Sequence, residues 1–180
     1  MSESRSIVLL GYRGSGKSTV GRALAERLDM AFMDTDALVL ERFDGRTVAD
    51  IWVHEGEPAF RAIEAEVVAQ AVGCSGRVVA LGGGAVTEHS AGRLAVERAE
   101  ALRVYLAAPP SVLGARIAGD ADTGDARPSL TGTASVTEEI AAVLAQREPV
   151  YRAVADVVVD VADATVEAIA DQIVSHRTGE

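Results

Sequence analysis

The chain has 180 residues and a formal net charge of −10, and 48% of its residues are hydrophobic while only 4% are aromatic. This acidic balance, without a basic run, excludes a surface for nucleic acid or for an anionic membrane, because both bind patches rich in lysine or arginine. The lone Cys74 excludes an intramolecular disulfide and a cysteine zinc site, and we interpret it as a small apolar residue of the interior.

The length and the first residues set two further expectations. We expect one domain over residues 1–180, since this length is typical of a single domain with a substantial core. Residues 1–5 are polar and do not resemble an export signal, and no apolar stretch approaches the length of a membrane span. We therefore expect a cytoplasmic protein.

A phosphate-binding motif follows the first predicted strand, residues 6–10. The next eight residues match the pattern Gly, four residues, Gly-Lys-Ser: Gly11-Tyr12-Arg13-Gly14-Ser15-Gly16-Lys17-Ser18. A helical pattern of apolar residues comes next, and between a strand and a helix the backbone N–H groups of this motif surround phosphates. Lys17 would reach the β- and γ-phosphates, and Ser18 would bind Mg²⁺. The alternative, a glycine-rich turn with a solvated lysine, is disfavoured by the spacing and by both flanks, so the motif predicts a nucleoside triphosphate site.

Two aspartates follow the second predicted strand, residues 30–33. Asp34 and Asp36 come at its carboxyl end, where ligands bind in open α/β sheets. Thr35 or Asp36 could instead cap a helix over residues 37–43. The two interpretations are compatible, and we expect at least one aspartate to serve catalysis.

A long helix is predicted over residues 57–72, after a short one over residues 47–53. Pro58 lies in the first turn of the longer helix, and its apolar stripe includes Phe60. Arg61 lies just off this stripe. From periodicity alone we interpret it as an i,i+4 partner of Glu57, which is worth only tenths of a kcal/mol.

Three consecutive glycines, Gly82-Gly83-Gly84, end a third strand predicted over residues 77–81. A simple turn needs one or two glycines, so three suggest bare backbone close to a ligand. A helix over residues 88–100, a strand over residues 102–107 and a helix over residues 110–118 are predicted next. The glycine- and aspartate-rich residues 119–133 then predict a long functional loop.

The last predicted elements are a helix over residues 137–147, a strand over residues 157–161 and a helix over residues 165–174. Arg147 falls on the apolar face of its helix, where it either extends outward from the helix end or meets an anion in a partly buried site. Five strands alternating with helices predict a three-layer α/β/α fold with a parallel sheet.

Taken together, these residues resemble the shikimate kinase family. The matching segments, which run from about residue 7 to residue 161, are Gly11 to Thr19, Asp34-Thr35-Asp36, Phe60-Arg61, Leu81-Gly82-Gly83-Gly84-Ala85, Arg127-Pro128 and Arg147. The phosphate loop alone is generic, whereas its combination with the other segments is highly specific. The resemblance implies a P-loop kinase fold of the nucleoside-monophosphate-kinase type, with strand order 2-3-1-4-5 and a mobile lid at about residues 119–133. It also implies phosphorylation of the shikimate 3-hydroxyl by ATP.

The resemblance assigns roles to individual residues. Nucleotide would be bound by Gly14, Ser15, Gly16, Lys17, Ser18, Thr19 and Arg127, with Mg²⁺ held by Ser18 and, through water, by Asp34. Shikimate would be bound by Asp36, Arg61, Gly83, Gly84 and Arg147, with Trp52 and Phe60 as apolar walls. Lys17, Asp36 and Arg127 would be catalytic. Arg61 and Arg147 would clamp the shikimate carboxylate, since planar guanidinium groups match carboxylates. A monomer is expected, as is common for family members of this size.

Three departures from the family pattern concern the lid and the nucleotide. Ser129 replaces a leucine that usually follows Arg127-Pro128, and Ile117 replaces an arginine that commonly lies over the nucleotide. Asp120, Asp122 and Asp125 make the predicted lid acidic. We expect these changes to alter nucleotide affinity and lid kinetics but not the reaction, and we expect only a weak preference for ATP over GTP.

Two other functions share part of this pattern. One is a kinase of the same fold for another small acid, such as gluconate, against which the joint presence of Arg61, Arg147 and Asp36 argues. The other is an ATP-binding module without catalysis, against which the intact nucleotide and aspartate motifs argue.

Overall fold

A parallel sheet forms the framework of the chain. The computed structural model describes residues 5–87, 90–119 and 135–178. Within them, five strands lie in the order β2-β3-β1-β4-β5, and every neighbouring pair is parallel. The strands are β1 (Ser6–Leu10), β2 (Ala31–Asp34), β3 (Arg77–Ala80), β4 (Ala101–Ala107) and β5 (Val157–Asp160). The predicted α/β fold class and strand order are confirmed.

Helices alternate with these strands. In the described ranges they are α1 (Lys17–Leu28), α2 (Thr35–Glu41), α3 (Val48–His54), α4 (Glu57–Val72), α5 (Ala91–Arg98), α6 (Pro110–Gly119), α7 (Val136–Val154) and α8 (Val166–Thr178). None of them combines the length and the apolar character needed to cross a membrane.

The centre of the sheet is covered on both faces. All five residues of β1 are buried, as expected for a central strand of a parallel sheet between helical layers. The register places Leu9 of β1 and Asp34 of β2 beside Ala80 of β3. Because the strands are parallel, the segments that follow β1, β2 and β3 therefore meet at one edge of the sheet.

A second, smaller apolar cluster lies apart from the main core, between α2, α3 and α4. It consists of Val39, Phe43, Val48, Ile51, Phe60 and Val67, with Trp52 packed against it. The ring of Phe60 stacks on Phe43 at 6.4 Å and meets Trp52 edge-on at 6.3 Å. This cluster anchors α4, the helix that carries Arg61, to α2 and α3.

The start of α2 differs from the prediction. Neither Thr35 nor Asp36 is the cap. Asp34 is the N-cap residue, and its carboxylate accepts hydrogen bonds from the backbone N–H groups of Asp36 and Ala37. The helix consequently begins two residues earlier than predicted, directly at the end of β2, because the strand itself supplies the capping carboxylate.

The helix predicted over residues 88–100 is shorter. Its N-cap residue is Ser90 and its C-cap residue is Ala99, and both have extended backbone angles. Residues 88–89 lie outside the described residues. The helix ends early because Ala101 already belongs to β4.

Helix α7 is longer than predicted and passes through Pro149 to Val154. A proline inside a helix removes one hydrogen bond and costs about 3 kcal/mol. The turn beyond it is retained because Val150, Tyr151 and Val154 are all buried in the main core. Apolar burial of this kind, worth about 1.5–3 kcal/mol per side chain, outweighs the local cost.

Candidate active site

The phosphate loop joins β1 to α1, as predicted. Gly16, the N-cap residue of α1, has a φ of 89°, which a glycine adopts without the strain that a side chain would add. The Lys17 ammonium donates hydrogen bonds to the carbonyl oxygens of Gly11 at 2.9 Å and Tyr12 at 3.0 Å. The lysine side chain thus lies back over the loop and lines the cleft.

Ser18 and Asp34 meet beside this loop. The Ser18 hydroxyl donates a hydrogen bond of 2.5 Å to Oδ2 of Asp34, while Oδ1 of Asp34 caps α2. In the described part of the chain, no three histidine, cysteine or acidic side chains gather as a metal cage. Mg²⁺ in kinases needs only one or two protein oxygens beside phosphates and water. A hydroxyl and a carboxylate at this distance fit such a site.

Asp36 lies against the glycine turn that follows β3. A Cβ atom placed on Gly82 would collide with the Asp36 carboxylate and would lie 3.4 Å from Oε1 of Glu64. The buried Thr35 hydroxyl accepts a hydrogen bond of 2.9 Å from the Gly82 N–H. Bare backbone at Gly82 therefore allows the end of β2 and the end of β3 to close on each other and holds Asp36 at the edge of the cleft.

Arg61 is held by two glutamates of its own helix. Its NH1 donates to Oε2 of Glu64 at 2.8 Å, and its Nε and NH2 donate to Oε1 of Glu57 at 3.2 and 3.1 Å. Burial alone would lower the pKa of Arg61, but the charge and hydrogen bonds of Glu64 and Glu57 prevail, so that its pKa is raised. A Cβ atom on Gly84 would lie only 2.6 Å from NH1 of Arg61. A side chain at position 84 would therefore force the Arg61 guanidinium to shift.

Arg147 approaches the same turn from α7. Its NH1 donates to the Gly83 carbonyl at 3.2 Å, and its guanidinium lies 6.0 Å from the centre of the Tyr12 ring. Tyr151, one helical turn later, donates its hydroxyl to the same carbonyl. Adjacent glycines thus contact the two arginines, Gly83 contacting Arg147 and Gly84 contacting Arg61.

One cleft of about 1140 Å³ contains both groups of residues. Of the described candidates, it is lined by Gly14, Ser15, Gly16, Lys17, Ser18, Thr19, Asp34, Asp36, Arg61, Gly83 and Arg147. Trp52 also lines it, whereas Phe60 is buried behind Trp52 in the smaller cluster. Gly84 lies just behind the lining, against Arg61.

Several aliphatic side chains line the cleft beside the phosphate loop. Ile117 packs against Gly14 and lines the cleft together with Ala164 and Val166. The preceding Arg116 also lines the cleft, and its NH2 donates to the carbonyls of Val161 and Ala162 at 2.6 and 3.2 Å. Arg127 and nearly all of the predicted lid, residues 119–133, lie outside the described residues.

Glu64 is a residue of this site that sequence reasoning missed. Its side chain is 4% exposed and ion-paired with Arg61. The available signal was its spacing, since Glu64 falls four residues after Phe60 and three before Val67 on the apolar stripe, and a carboxylate is rarely buried there without a partner. Tyr151 was missed as well, because the helix was expected to end at Arg147.

Comparison with known proteins decides the family. A family model described as shikimate kinase matches residues 13–177. The chain belongs to the shikimate kinase family. The shikimate kinase of Thermobifida fusca is 44% identical over 174 residues, which cover 96% of this chain and 95% of that protein.

Solved structures agree with this membership of the shikimate kinase family. A shikimate kinase from Acinetobacter baumannii, solved in complex with shikimate, is similar with a TM-score of 0.85 and 30% identity, covering 98% of this chain and 95% of that one. A gluconokinase from Sinorhizobium meliloti is similar with a TM-score of 0.56 and 23% identity, over 99% of this chain and 94% of that one. The second likeness extends to the fold alone.

Proposed function

We propose that this chain transfers the γ-phosphoryl group of ATP to the 3-hydroxyl of shikimate, giving shikimate 3-phosphate and ADP, within the biosynthesis of aromatic amino acids by the chorismate pathway. The observation that carries the proposal is that one cleft contains both the phosphate loop and two arginines. Arg147 contacts Gly83 and Arg61 contacts the adjacent Gly84. A triphosphate fits the first feature and a small carboxylic acid fits the second.

The phosphate loop is proposed to hold the nucleotide. Backbone N–H groups from Gly14 to Thr19 would surround the phosphates at the positive end of α1. Lys17 would turn from the loop carbonyls toward the transferring phosphate and stabilise its charge. Mg²⁺, held by Ser18 directly and by Asp34 through water, would neutralise charge on the β- and γ-phosphates.

Asp36 is proposed to position the acceptor hydroxyl and to accept its proton. The side chain lines the cleft and lies against Gly82, next to the glycines that contact the two arginines. Arg61 and Arg147 would hold the acid by its carboxylate, with backbone contributions from Gly83 and Gly84 and an apolar wall from Trp52. Phosphoryl transfer demands mainly this kind of positioning and charge neutralisation. Arg127 is proposed to reach the transferring phosphate from the lid.

Further proposals concern the protein as a whole. We propose a cytoplasmic monomer that takes small molecules as substrates and binds neither nucleic acid nor membrane. The net charge of −10 supports the last two points, because polyanionic partners would be repelled. A sedimentation measurement at micromolar concentration tests the monomer.

Coupled ADP release tests the reaction. Purified protein with ATP and Mg²⁺ is given shikimate, gluconate or no acceptor. Rapid ADP release is expected with shikimate alone, and the product is to be identified as the 3-phosphate by NMR. Turnover of gluconate in place of shikimate would mean that the acceptor substrate is another acid. ADP release that does not depend on an acceptor would contradict the proposed transfer.

A further inference from the structure

Each of the three nitrogens of the Arg61 guanidinium donates to a glutamate, which uses three of its five N–H groups. Nε and NH2 form the side of the guanidinium that can bind one carboxylate through two hydrogen bonds, and both donate to Oε1 of Glu57. The remaining nitrogen, NH1, donates to Glu64 and lies against Gly84. An acid that binds Arg61 through Nε and NH2 must therefore displace Glu57.

The two glutamates differ in how readily they can leave. The Glu64 side chain is only 4% exposed, so separation from Arg61 would leave a buried carboxylate without its cation, which is strongly unfavourable. The Glu57 side chain is 53% exposed and lies in the first turn of α4. It can turn into water at little cost, and there the helix N-terminus still stabilises its charge.

From this difference we propose that Glu57 is a displaceable occupant of the acid site. Its carboxylate holds Arg61 in the unliganded protein and is exchanged for the substrate carboxylate on binding, while Glu64 stays in place. The proposal rests on the proposed function, in which Arg61 binds the carboxylate of shikimate. It makes Glu57 a residue that sets affinity and selectivity without being a ligand of the substrate.

The charges of the site give the exchange a consequence. Arg61, Arg147, Glu57 and Glu64 together carry no net charge, so a simple anion gains little by entering. An acid that also contacts Arg147 and the Asp36 region gains enough to displace Glu57. The exchange therefore weakens the binding of all anions at Arg61 and favours those with further contacts to the cleft.

Glu57→Gln is the variant that tests the exchange, because it keeps the size of the side chain and removes its charge. The control is Glu97→Gln, which changes a similar i,i+4 pair with Arg93 on α5, outside the cleft lining. Calorimetry should show shikimate binding about two- to fivefold tighter in Glu57→Gln and unchanged in the control. The methyl ester of shikimate, which lacks the negative charge, should bind equally well to the wild-type protein and to Glu57→Gln.

A second measurement, with sulfate, does not depend on the identity of the substrate. Its inhibition of ATP turnover, or its binding if shikimate is not turned over, should also be stronger in Glu57→Gln. If wild type fails to bind or phosphorylate shikimate, the proposed function fails, and the sulfate result still decides the exchange.

Two results would contradict the exchange. Unchanged affinity of Glu57→Gln for shikimate and sulfate would mean that Glu57 forms only a surface ion pair with Arg61. Weaker shikimate binding in Glu57→Gln would make Glu57 a substrate ligand. Either result would overturn the proposal.

Discussion

Arg61 and Arg147 are 86 positions apart in the sequence and contact adjacent glycines in the structure. Each has a neighbour that fixes its direction: Glu64 beneath Arg61, and the Gly83 carbonyl beside Arg147. At the scale of single residues, the end of the cleft at which we propose that the acid binds thus holds a pair of prepositioned cations. At the end proposed for the nucleotide the cation is Lys17, which is the only lysine of the sequence.

Lys17→Met should lower kcat by about 100-fold or more, because it removes a preorganised cation from the transferring phosphate. The fold should persist, since the Lys17 ammonium contacts loop carbonyls rather than the core. Steady-state rates and circular dichroism provide the two measurements. A folded variant with more than about a tenth of wild-type activity would contradict the assignment of the phosphate loop.

Arg147→Ala and Arg61→Ala should each raise the KM for shikimate, by roughly 10- to 100-fold, because each removes a partly desolvated partner of one carboxylate. The double variant should be less impaired than the product of the single effects, since both arginines bind the same anion. Arg93→Ala, on α5, is the matched control. Thermal unfolding must accompany Arg61→Ala, because this change also leaves Glu64 without its cation. An unchanged KM in Arg147→Ala would refute the clamp.

At the scale of elements, the site depends on how two segments end. β2 ends at Asp34, which caps α2 and accepts from Ser18. Helix α7 continues past Pro149, so that Tyr151 lies one turn after Arg147 and reaches the same Gly83 carbonyl. At the opposite end of the sheet, Asp156 joins the start of β5 to β4 through Arg103.

Asp156→Asn should reduce the free energy of unfolding at pH 7 by about 1.5–3 kcal/mol, the range for a hydrogen bond to a charged group. Burial would raise the pKa of Asp156, but the hydrogen bonds and charge of Arg103 lower it overall. A carboxylate with a lowered folded-state pKa stabilises the fold above the unfolded-state pKa of about 3.9, and this contribution disappears as pH falls through the folded-state pKa.

Urea unfolding of wild type and Asp156→Asn at a series of pH values from 7 to 2.5 measures this effect. The difference between the two proteins should shrink as pH falls below about 4. A difference that is independent of pH would mean that the Arg103–Asp156 contact stabilises through packing rather than through charge.

At the scale of the whole molecule, the cleft is built from segments spread along most of the chain, from Tyr12 to Ile169. A ligand that binds only the assembled cleft must stabilise the entire fold. At a hundred times its Kd, shikimate should add about 2.7 kcal/mol to the free energy of unfolding. For a protein of this size, that corresponds to a rise in Tm of roughly 5–10 °C.

Differential scanning calorimetry with and without shikimate checks the effect. Arg147→Ala at the same shikimate concentration serves as the control and should show a much smaller rise. An equal rise in both proteins would place shikimate binding elsewhere than between the two arginines.

Much of this protein follows from its sequence. The phosphate loop lies between β1 and α1 because a short apolar run, positive-φ glycines and a helical pattern are local properties of the chain. The order of strands and helices follows from the same local patterns, and the family resemblance supplied the strand order and the clamp arginines. Helix α4 has the predicted bounds, since Pro58 and the apolar stripe define it locally.

Tertiary structure alone decided the remaining features, because they depend on contacts between distant parts of the chain. Asp34 became the cap of α2 where β2 ends beside β3, and Pro149 stayed inside α7 because the following turn is buried. Periodicity indicated the Arg61–Glu57 pair, which is present, but it could not show the cleft in front of that pair or the buried Glu64 behind it. A local pattern records which residues share a helix face, whereas burial and the approach of another segment determine what that face can bind.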